Sequence, residues 1–139
     1  MSFEEKVNWV YGVVMVAVFG VYFASILGQA RTTAVAEIAF QQPMIAAIVV
    51  AVVANILGSI LVAISKPSEA DKHDARDKEI NRFGEYVGGS VLGVAMVLPL
   101  GLALAEADPF WIANAMVAGF VLSSLVSTVV KLVAYRRGL

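Results

Sequence analysis

Four long apolar stretches, separated by shorter polar segments, make up almost the whole chain. A helix needs about 20 apolar residues to cross a hydrocarbon core of about 30 Å, and each stretch is long enough. The pattern therefore predicts an all-α integral membrane four-helix bundle, a single transmembrane domain over residues 1–139. The predicted spans are about Val7–Gly28, Met44–Ser65, Tyr86–Ala105 and Pro109–Tyr135.

Prolines and short polar side chains mark the ends of these spans. Asp108 followed by Pro109 is typical of an N-cap and a first helical residue. The loop before them is short, so we expect the third and fourth spans to be antiparallel neighbours. Pro43 is expected to start the second span in the same way. Pro99 lies inside the third span and predicts a kink, because proline removes a backbone hydrogen bond.

A dense charged segment separates the second and third spans. Nothing breaks a helix from Glu69 to Glu85, so the sequence predicts a charged helix that continues into the third span. Its apolar positions Ile80, Phe83 and Val87 are predicted to form one stripe, which could lie on the bundle or on the lipid headgroups. Opposite charges four residues apart, such as Asp74 and Lys78, would pair along its surface.

Basic residues are distributed very unevenly between the two sides of the predicted bundle. All ten lysines and arginines except Arg31 lie near the N-terminus, in the middle segment or near the C-terminus. The positive-inside rule then places both termini and the charged helix in the cytoplasm, in a multi-pass protein of the plasma membrane. Lys131 is expected to lie close enough to the cytoplasmic end for its ammonium group to reach water.

Composition agrees with a membrane protein and narrows the chemistry. The chain is 60% hydrophobic, with a net charge of −1, one histidine and no cysteine, and its mean hydropathy is +0.82. The missing cysteine excludes disulfides, thiol catalysis and cysteine zinc sites. The net charge gives no support for nucleic-acid binding. Neither a glycine-rich phosphate loop nor a nucleophile with a base is present, so we expect no enzyme and no cofactor.

One group of side chains in the charged helix could bind a divalent metal. These are Asp71, His73, Asp74 and Asp77. Metal sites usually take ligands from more than one element, so a solvated, self-paired helix face is the preferred interpretation, and no metal is predicted.

Four polar side chains in the second and fourth predicted spans are candidates for a role inside the membrane: Asn55, Ser59, Ser123 and Ser127. An amide at the depth of Asn55 needs a partner across the bundle or in another copy of the chain. A structural clamp is the preferred interpretation of Asn55, and the lining of a solute path is the alternative.

Polar and aromatic residues also cluster at the predicted outer end. Four of them could form a cation-attracting mouth, although loop polarity and a helix cap also account for them: Gln29, Glu106, Asp108 and Asn114. The aromatic residues predict two interfacial belts. The inner belt would comprise Trp9, Tyr11, Phe83, Tyr86 and Tyr135, and the outer belt Tyr22, Phe23, Phe40, Phe110 and Trp111.

Small residues recur at a spacing of four along the spans. Examples are Gly20 with Ala24, Gly84 with Gly88, and Gly89 with Gly93. Such spacing lets helix backbones approach closely in a bilayer. It predicts close helix contacts within the chain and also a homo-oligomer. The spacing does not show which small-residue pairs pack within one chain and which pack between chains.

Several segments resemble uncharacterised small four-span membrane proteins of actinobacteria. The resemblance covers nearly the full chain. It is carried by Phe3 to Lys6, by Asp74 to Glu85 with its Asp-x-Arg-Asp-x-Glu-Ile motif, by Ala105 to Ala115, and by Val133 to Gly138. Some members of that family are encoded beside small helix-turn-helix regulators. The resemblance therefore implies a membrane protein that interacts with a cytoplasmic protein, and it supplies no catalytic residue.

Two functional hypotheses follow from the sequence. The first is a non-enzymatic, oligomeric membrane protein that docks or regulates a cytoplasmic partner through its charged helix. The residues expected to dock the partner are Asp74, Arg76, Asp77, Glu79 and Arg82. The alternative is a small channel or transporter for an ion or small solute, lined by Asn55, Ser59 and the serines of the fourth span. In both hypotheses the protein is embedded in the lipid bilayer. Its basic residues near the inner leaflet would favour contact with anionic headgroups.

Overall fold

The computed structural model describes residues 2–65 and 75–137. Within these ranges the chain is all-α: α1 is Phe3–Ala30, α2 Gln41–Ser65, α3 Ala75–Ala95, α4 Val97–Leu104 and α5 Pro109–Arg137, with a short 3-10 turn at Val35–Glu37. Because α3 and α4 follow one another closely, they form one span-length unit, Ala75–Leu104. The four units are long and apolar enough to cross a membrane, which confirms the predicted number of candidate spans. The predicted helix start at Glu69 lies outside the described residues.

The start of α5 confirms one predicted cap, and the start of α2 corrects another. Asp108 Oδ1 accepts a hydrogen bond from the Phe110 backbone N–H at 2.9 Å, and Pro109 is the first helical residue. In α2 the helix begins at Gln41, two residues before Pro43. N–H groups throughout a first helical turn have no partner within the helix, so proline is tolerated at its later positions too.

Pro99 interrupts the third span at the predicted place. The α-helix breaks at Met96, between α3 and α4, and resumes when the Leu100 N–H donates to the Met96 carbonyl at 3.2 Å. Proline has no N–H to donate to the carbonyl four residues before it, and its ring crowds that turn. The break separates the charged first part of the span from a wholly apolar second part.

The helices pack as antiparallel neighbours in the order α2, α1, α5 and α3. The main contacts of α2 are with α1, and α1 also packs on α5. α5 packs on both α3 and α4, which confirms that the third and fourth spans are neighbours. We call the end where α1 and α3 begin and α5 ends the basic end, and the opposite end the hairpin end.

The apolar core lies toward the hairpin end. α1 contributes Met15, Phe19, Tyr22 and Ile26, whose spacing of four, three and four residues places them on one face of the helix. The other buried members are Ile38, Phe40, Ala47, Ala51 and Phe110. Phe40 and Phe110 meet edge to face with their ring centroids 5.6 Å apart.

Part of the predicted outer aromatic belt is therefore core. Tyr22, Phe40 and Phe110 are buried, because the loop after α1 and the start of α5 close over the same face of α1. Trp111, the neighbour of Phe110, stays 44% exposed, and Trp9 at the basic end is 45% exposed. These two tryptophans keep the exposure that an interfacial anchor needs.

Large apolar side chains cover most of the remaining surface. In the most apolar 18-residue stretch of α2 only 11% of the residues are buried, and the same share is buried in the corresponding stretch of Ala75–Leu104. On α2 the exposed residues include Ile45, Val49 and Ile56. Continuous apolar surface of this extent is typical of contact with lipid or another protein, and together with the span lengths it indicates a multi-pass membrane protein.

Candidate functional site

A polar cavity of about 440 Å³ lies between α1, α3 and α5 in the half of the molecule nearer the basic end. Its walls combine carboxylates, amides, hydroxyls and one lysine. The polar lining residues are Glu4, Asn8, Tyr11, Asn81, Glu85, Ser123, Ser124, Ser127, Thr128 and Lys131. In so apolar a protein, this concentration of hydrogen-bonding groups marks the cavity as the candidate site.

An ion pair joins two walls of the cavity. Lys131 Nζ on α5 donates to Glu85 Oε1 on α3 at 2.5 Å. Lys131 is only 7% exposed, whereas the Glu85 side chain is 67% exposed. The prediction that Lys131 extends to water at the end of its helix is therefore wrong. Its ammonium group instead pairs with Glu85, whose side chain lies at the surface of the bundle.

Glycines on α3 make room for this arrangement. A Cβ at Gly84 would overlap the Lys131 side chain, and a Cβ at Gly88 would lie 2.8 Å from Ser127 Cβ. Real side chains do not approach that closely, so the spacing of Gly84 and Gly88 allows α3 and α5 to touch. The predicted role of this small-residue pair is thus confirmed, as a contact within the chain.

The two serines predicted as intramembrane polar residues on α5 both line the cavity. Ser123 Oγ donates to the Gly88 carbonyl at 2.6 Å, which ties α5 to α3. Ser127 is 7% exposed, and its hydroxyl has no hydrogen-bond partner in the part of the chain that the structure describes. Buried hydroxyls almost always have a partner, so water or a solute in the cavity would have to supply the one that Ser127 lacks among the described residues.

The predicted polar residues of α2 lie elsewhere. Asn55 Nδ2 donates to the Ala51 carbonyl of its own helix at 2.9 Å, and the described residues show no hydrogen bond from its side chain across the bundle, so a clamp to another copy of the chain stays a prediction. An asparagine in a helix can reach the carbonyl one turn earlier, which satisfies half of its amide locally. Asn55 Oδ1 has no partner among the described residues and borders a separate apolar cavity of about 450 Å³. Ser59, one turn further along α2, is half-buried and lines neither cavity.

The four residues of the predicted outer mouth have separate roles. Asn114 is buried, where its Oδ1 accepts from the Tyr22 hydroxyl at 2.6 Å and its Nδ2 donates to the Phe110 carbonyl at 2.8 Å. Asp108 caps α5. Gln29 and Glu106 are exposed, and Glu106 occupies a left-handed turn conformation with φ 57°. Asn114 thus connects α1 to α5 and does not contribute to an open mouth.

Two of the predicted docking residues are engaged within the chain. Arg76 donates to the carbonyls of Tyr135 at 3.1 Å and Ala134 at 3.4 Å, near the C-terminal end of α5. A cation is favourable there, because the last carbonyls of a helix lack partners and carry partial negative charge. The Tyr135 hydroxyl donates to Asp77 Oδ1 at 2.8 Å, and Asp77 is buried. Glu79 and Arg82 are exposed, and Asp74 lies outside the described residues.

The inner face of α3 differs from the predicted apolar stripe. It consists of Asp77, Ile80, Gly84 and Gly88, while Phe83 points outward and is 47% exposed. A second ion pair that the sequence analysis missed joins Arg136 Nε to Glu5 Oε1 at 2.9 Å, between α5 and α1. Such pairs link residues far apart in the chain, and their charges alone do not reveal which acid meets which base.

The cavity can bind by hydrogen bonds and by both signs of charge. No group of three or more metal-ligating side chains occurs within residues 2–65 and 75–137. Comparisons with protein-family models, with curated proteins and with solved structures gave no match to the chain.

Proposed function

We propose that the protein is a multi-pass protein of the plasma membrane, with both termini in the cytoplasm, that binds a small polar solute in the cavity between α1, α3 and α5 and transports it. The observation that carries this proposal is the polar cavity itself, with the buried Lys131 and Ser127 in its wall. It favours the transport hypothesis, with a lining that differs in part from the predicted one.

The position of the cavity supports transport, because polar groups inside a membrane protein need to be solvated. Hydroxyl, amide and charged groups are costly against lipid chains unless water, a solute or protein satisfies them. The lining extends from Glu4, in the first turn of α1, to Leu92 on α3 and Ser123 on α5. Beyond that depth the aromatic core around Phe19 and Phe110 fills the interior. We therefore infer that a solute enters the cavity from the basic end and that the aromatic core closes the path toward the hairpin end.

The proposal is tested by swelling of proteoliposomes in stopped-flow light scattering. The probes are glycerol, β-alanine, ammonium chloride and potassium chloride. We expect the wild-type protein to accelerate swelling with at least one probe. Ser124→Leu, which puts a bulky side chain into the cavity wall, should abolish the effect, whereas Ser90→Leu on the exposed side of α3 should not. Thermal unfolding in detergent checks that both variants fold.

Two results would contradict transport. One is swelling equal to that of protein-free liposomes with all four probes. The other is a probe whose accelerated swelling survives Ser124→Leu in a folded protein.

Exposed charges on α3 favour a second candidate function, docking of a cytoplasmic protein. Glu79 and Arg82 are exposed and three residues apart, so they share a face of the helix that α5 does not cover. If docking occurs, native mass spectra of gently extracted protein should show a stoichiometric partner. The double variant Glu79→Lys with Arg82→Glu reverses both charges and should no longer retain that partner. Arg31→Glu, at the hairpin end, is the control. A partner that the double reversal retains would exclude this surface.

Homo-oligomerisation remains a prediction. At Gly20 and Gly93 a Cβ would meet no atom of another described element within 4 Å, so these small residues leave room for a neighbouring helix. The mass of the extracted protein in the same native spectra measures the number of subunits.

A further inference from the structure

The unpartnered hydroxyl of Ser127 raises the question of which ligand the cavity takes. Ser127 is more than nine-tenths buried and lines the cavity beside Lys131 and Thr128. The neighbouring Ser123 hydroxyl is already committed to the Gly88 carbonyl. A hydroxyl can both donate and accept, so the ligand group that meets Ser127 is polar.

Lys131 offers further donors on the same wall. An ammonium group has three N–H donors, and the structure gives Lys131 one acceptor, Glu85 Oε1, among the described residues. Its burial makes unused donors costly. An anionic oxygen of a ligand, placed between Lys131 and Ser127, would satisfy both side chains at once.

Carboxylates on the other walls make a ligand with negative charge alone unfavourable. Glu85 lines the cavity from α3 and Glu4 lines it from α1. Glu85 is 67% exposed and uses one oxygen for Lys131, so its other oxygen can accept from a ligand. A cationic amine near Glu85 would offset the charge of that carboxylate.

The size of the cavity indicates a molecule larger than a bare ion. At about 440 Å³ it falls within the range of small-molecule sites, of roughly 300–1,000 Å³. A short zwitterion would place its two opposite charges against Glu85 and Lys131 at the same time.

We propose that the cavity binds a ligand that carries both a primary amine and an anionic oxygen group, with the oxygens at Lys131 and Ser127 and the amine at Glu85. The inference rests on the proposed function, since it concerns the same cavity. Two sources supply this chemistry: a soluble zwitterion, or the ethanolamine phosphate headgroup of a lipid at the basic end.

Three probes of matched size separate the charges: β-alanine carries both, propionate the anion alone and propylamine the cation alone. We expect β-alanine to raise the unfolding temperature of the purified protein saturably, with no equal effect from the other two. Lys131→Met keeps the packing of the lysine stem against Gly84, and Glu85→Gln keeps the shape of the acid. Each should weaken β-alanine binding by about tenfold or more, because each removes a charge-assisted hydrogen bond. The exposed residues outside the cavity provide controls, Lys78→Met and Glu37→Gln.

Native mass spectrometry from nanodiscs tests the lipid source. The protein should retain phosphatidylethanolamine in preference to phosphatidylglycerol and phosphatidylcholine, and Lys131→Met and Glu85→Gln should lose this preference. That result would support the inference, with a lipid as the ligand, even if β-alanine has no effect. Propionate or propylamine acting as well as β-alanine would overturn it. So would a protein that neither responds to β-alanine nor retains phosphatidylethanolamine.

The two proposals fail in different ways. Binding of β-alanine without accelerated swelling for any probe would remove transport and keep the ligand class. Accelerated swelling that is unchanged in the Glu85→Gln variant, together with no binding of β-alanine and no retention of phosphatidylethanolamine, would remove the ligand class and keep transport.

Discussion

At the scale of single residues, several polar side chains connect one helix to another. Tyr22 and Asn114 are 92 residues apart in sequence, and their side chains meet in a hydrogen bond of 2.6 Å between α1 and α5. Both residues are buried, so neither side chain has bulk water as an alternative partner. The bond therefore fixes α1 against α5 beside the aromatic core.

Tyr22→Phe should destabilise the protein by about 0.5–2 kcal/mol, because it leaves Asn114 Oδ1 buried without its donor. The measurement is thermal or denaturant unfolding in detergent. Tyr86→Phe removes the same hydroxyl from a residue that is 74% exposed, and should leave stability unchanged. Equal stability of the two variants would show that the hydrogen bond contributes nothing.

Local roles of residues could be predicted, and roles that depend on distant partners could not. Asp108 was correctly expected to cap a helix, since a cap involves only the next few residues. The sequence places Asn114 near other polar residues of the outer end and does not show that its partner is Tyr22, which lies on another helix. Lys131 was expected near water for the same reason, since its contact with Glu85 depends on how α3 meets α5.

At the scale of elements, the contact between α3 and α5 depends on glycines that differ in their surroundings. A Cβ at Gly88 would lie 2.8 Å from Ser127 Cβ and 3.2 Å from the Ser123 carbonyl oxygen. Gly93 is in the same helix, yet a Cβ there would meet nothing within 4 Å. Sequence spacing alone does not distinguish the two positions.

Gly88→Ala should destabilise the protein by about 1–3 kcal/mol, because α3 and α5 must separate to admit the methyl group. Gly93→Ala should be neutral or up to about 1 kcal/mol more stable, since alanine is the better helix former. The unfolding temperatures of the two variants provide the comparison. A loss of stability in Gly93→Ala equal to that in Gly88→Ala would contradict the packing of α3 against α5.

At the scale of the whole molecule, polarity is divided between the two ends. The basic end contains the polar cavity and the ion pairs of Lys131 with Glu85 and of Arg136 with Glu5. The hairpin end contains the aromatic core. This division matches the proposed orientation, in which the basic end faces the cytoplasm.

Single cysteines test the orientation, because the chain contains none of its own. Thr33 in the loop after α1 and Lys78 near the start of α3 are both exposed. In intact cells, a maleimide that cannot cross membranes should label Thr33→Cys and should label Lys78→Cys only after the membrane is broken. Labelling of Lys78→Cys in intact cells would reverse the proposed topology.

The order of the residues was enough to predict four candidate spans with their approximate lengths and ends, the cap at Asp108 and the break before Pro99. These features depend on apolar length and on backbone chemistry within a few residues, which the order of the residues contains directly. Packing between helices, by contrast, places Tyr22 and Phe110 in the core, Arg76 and Asp77 at the end of α5, and Lys131 against Glu85 in a polar cavity. Those contacts join helices distant in sequence, and the rotation and spacing of each helix against its neighbours select which side chains meet.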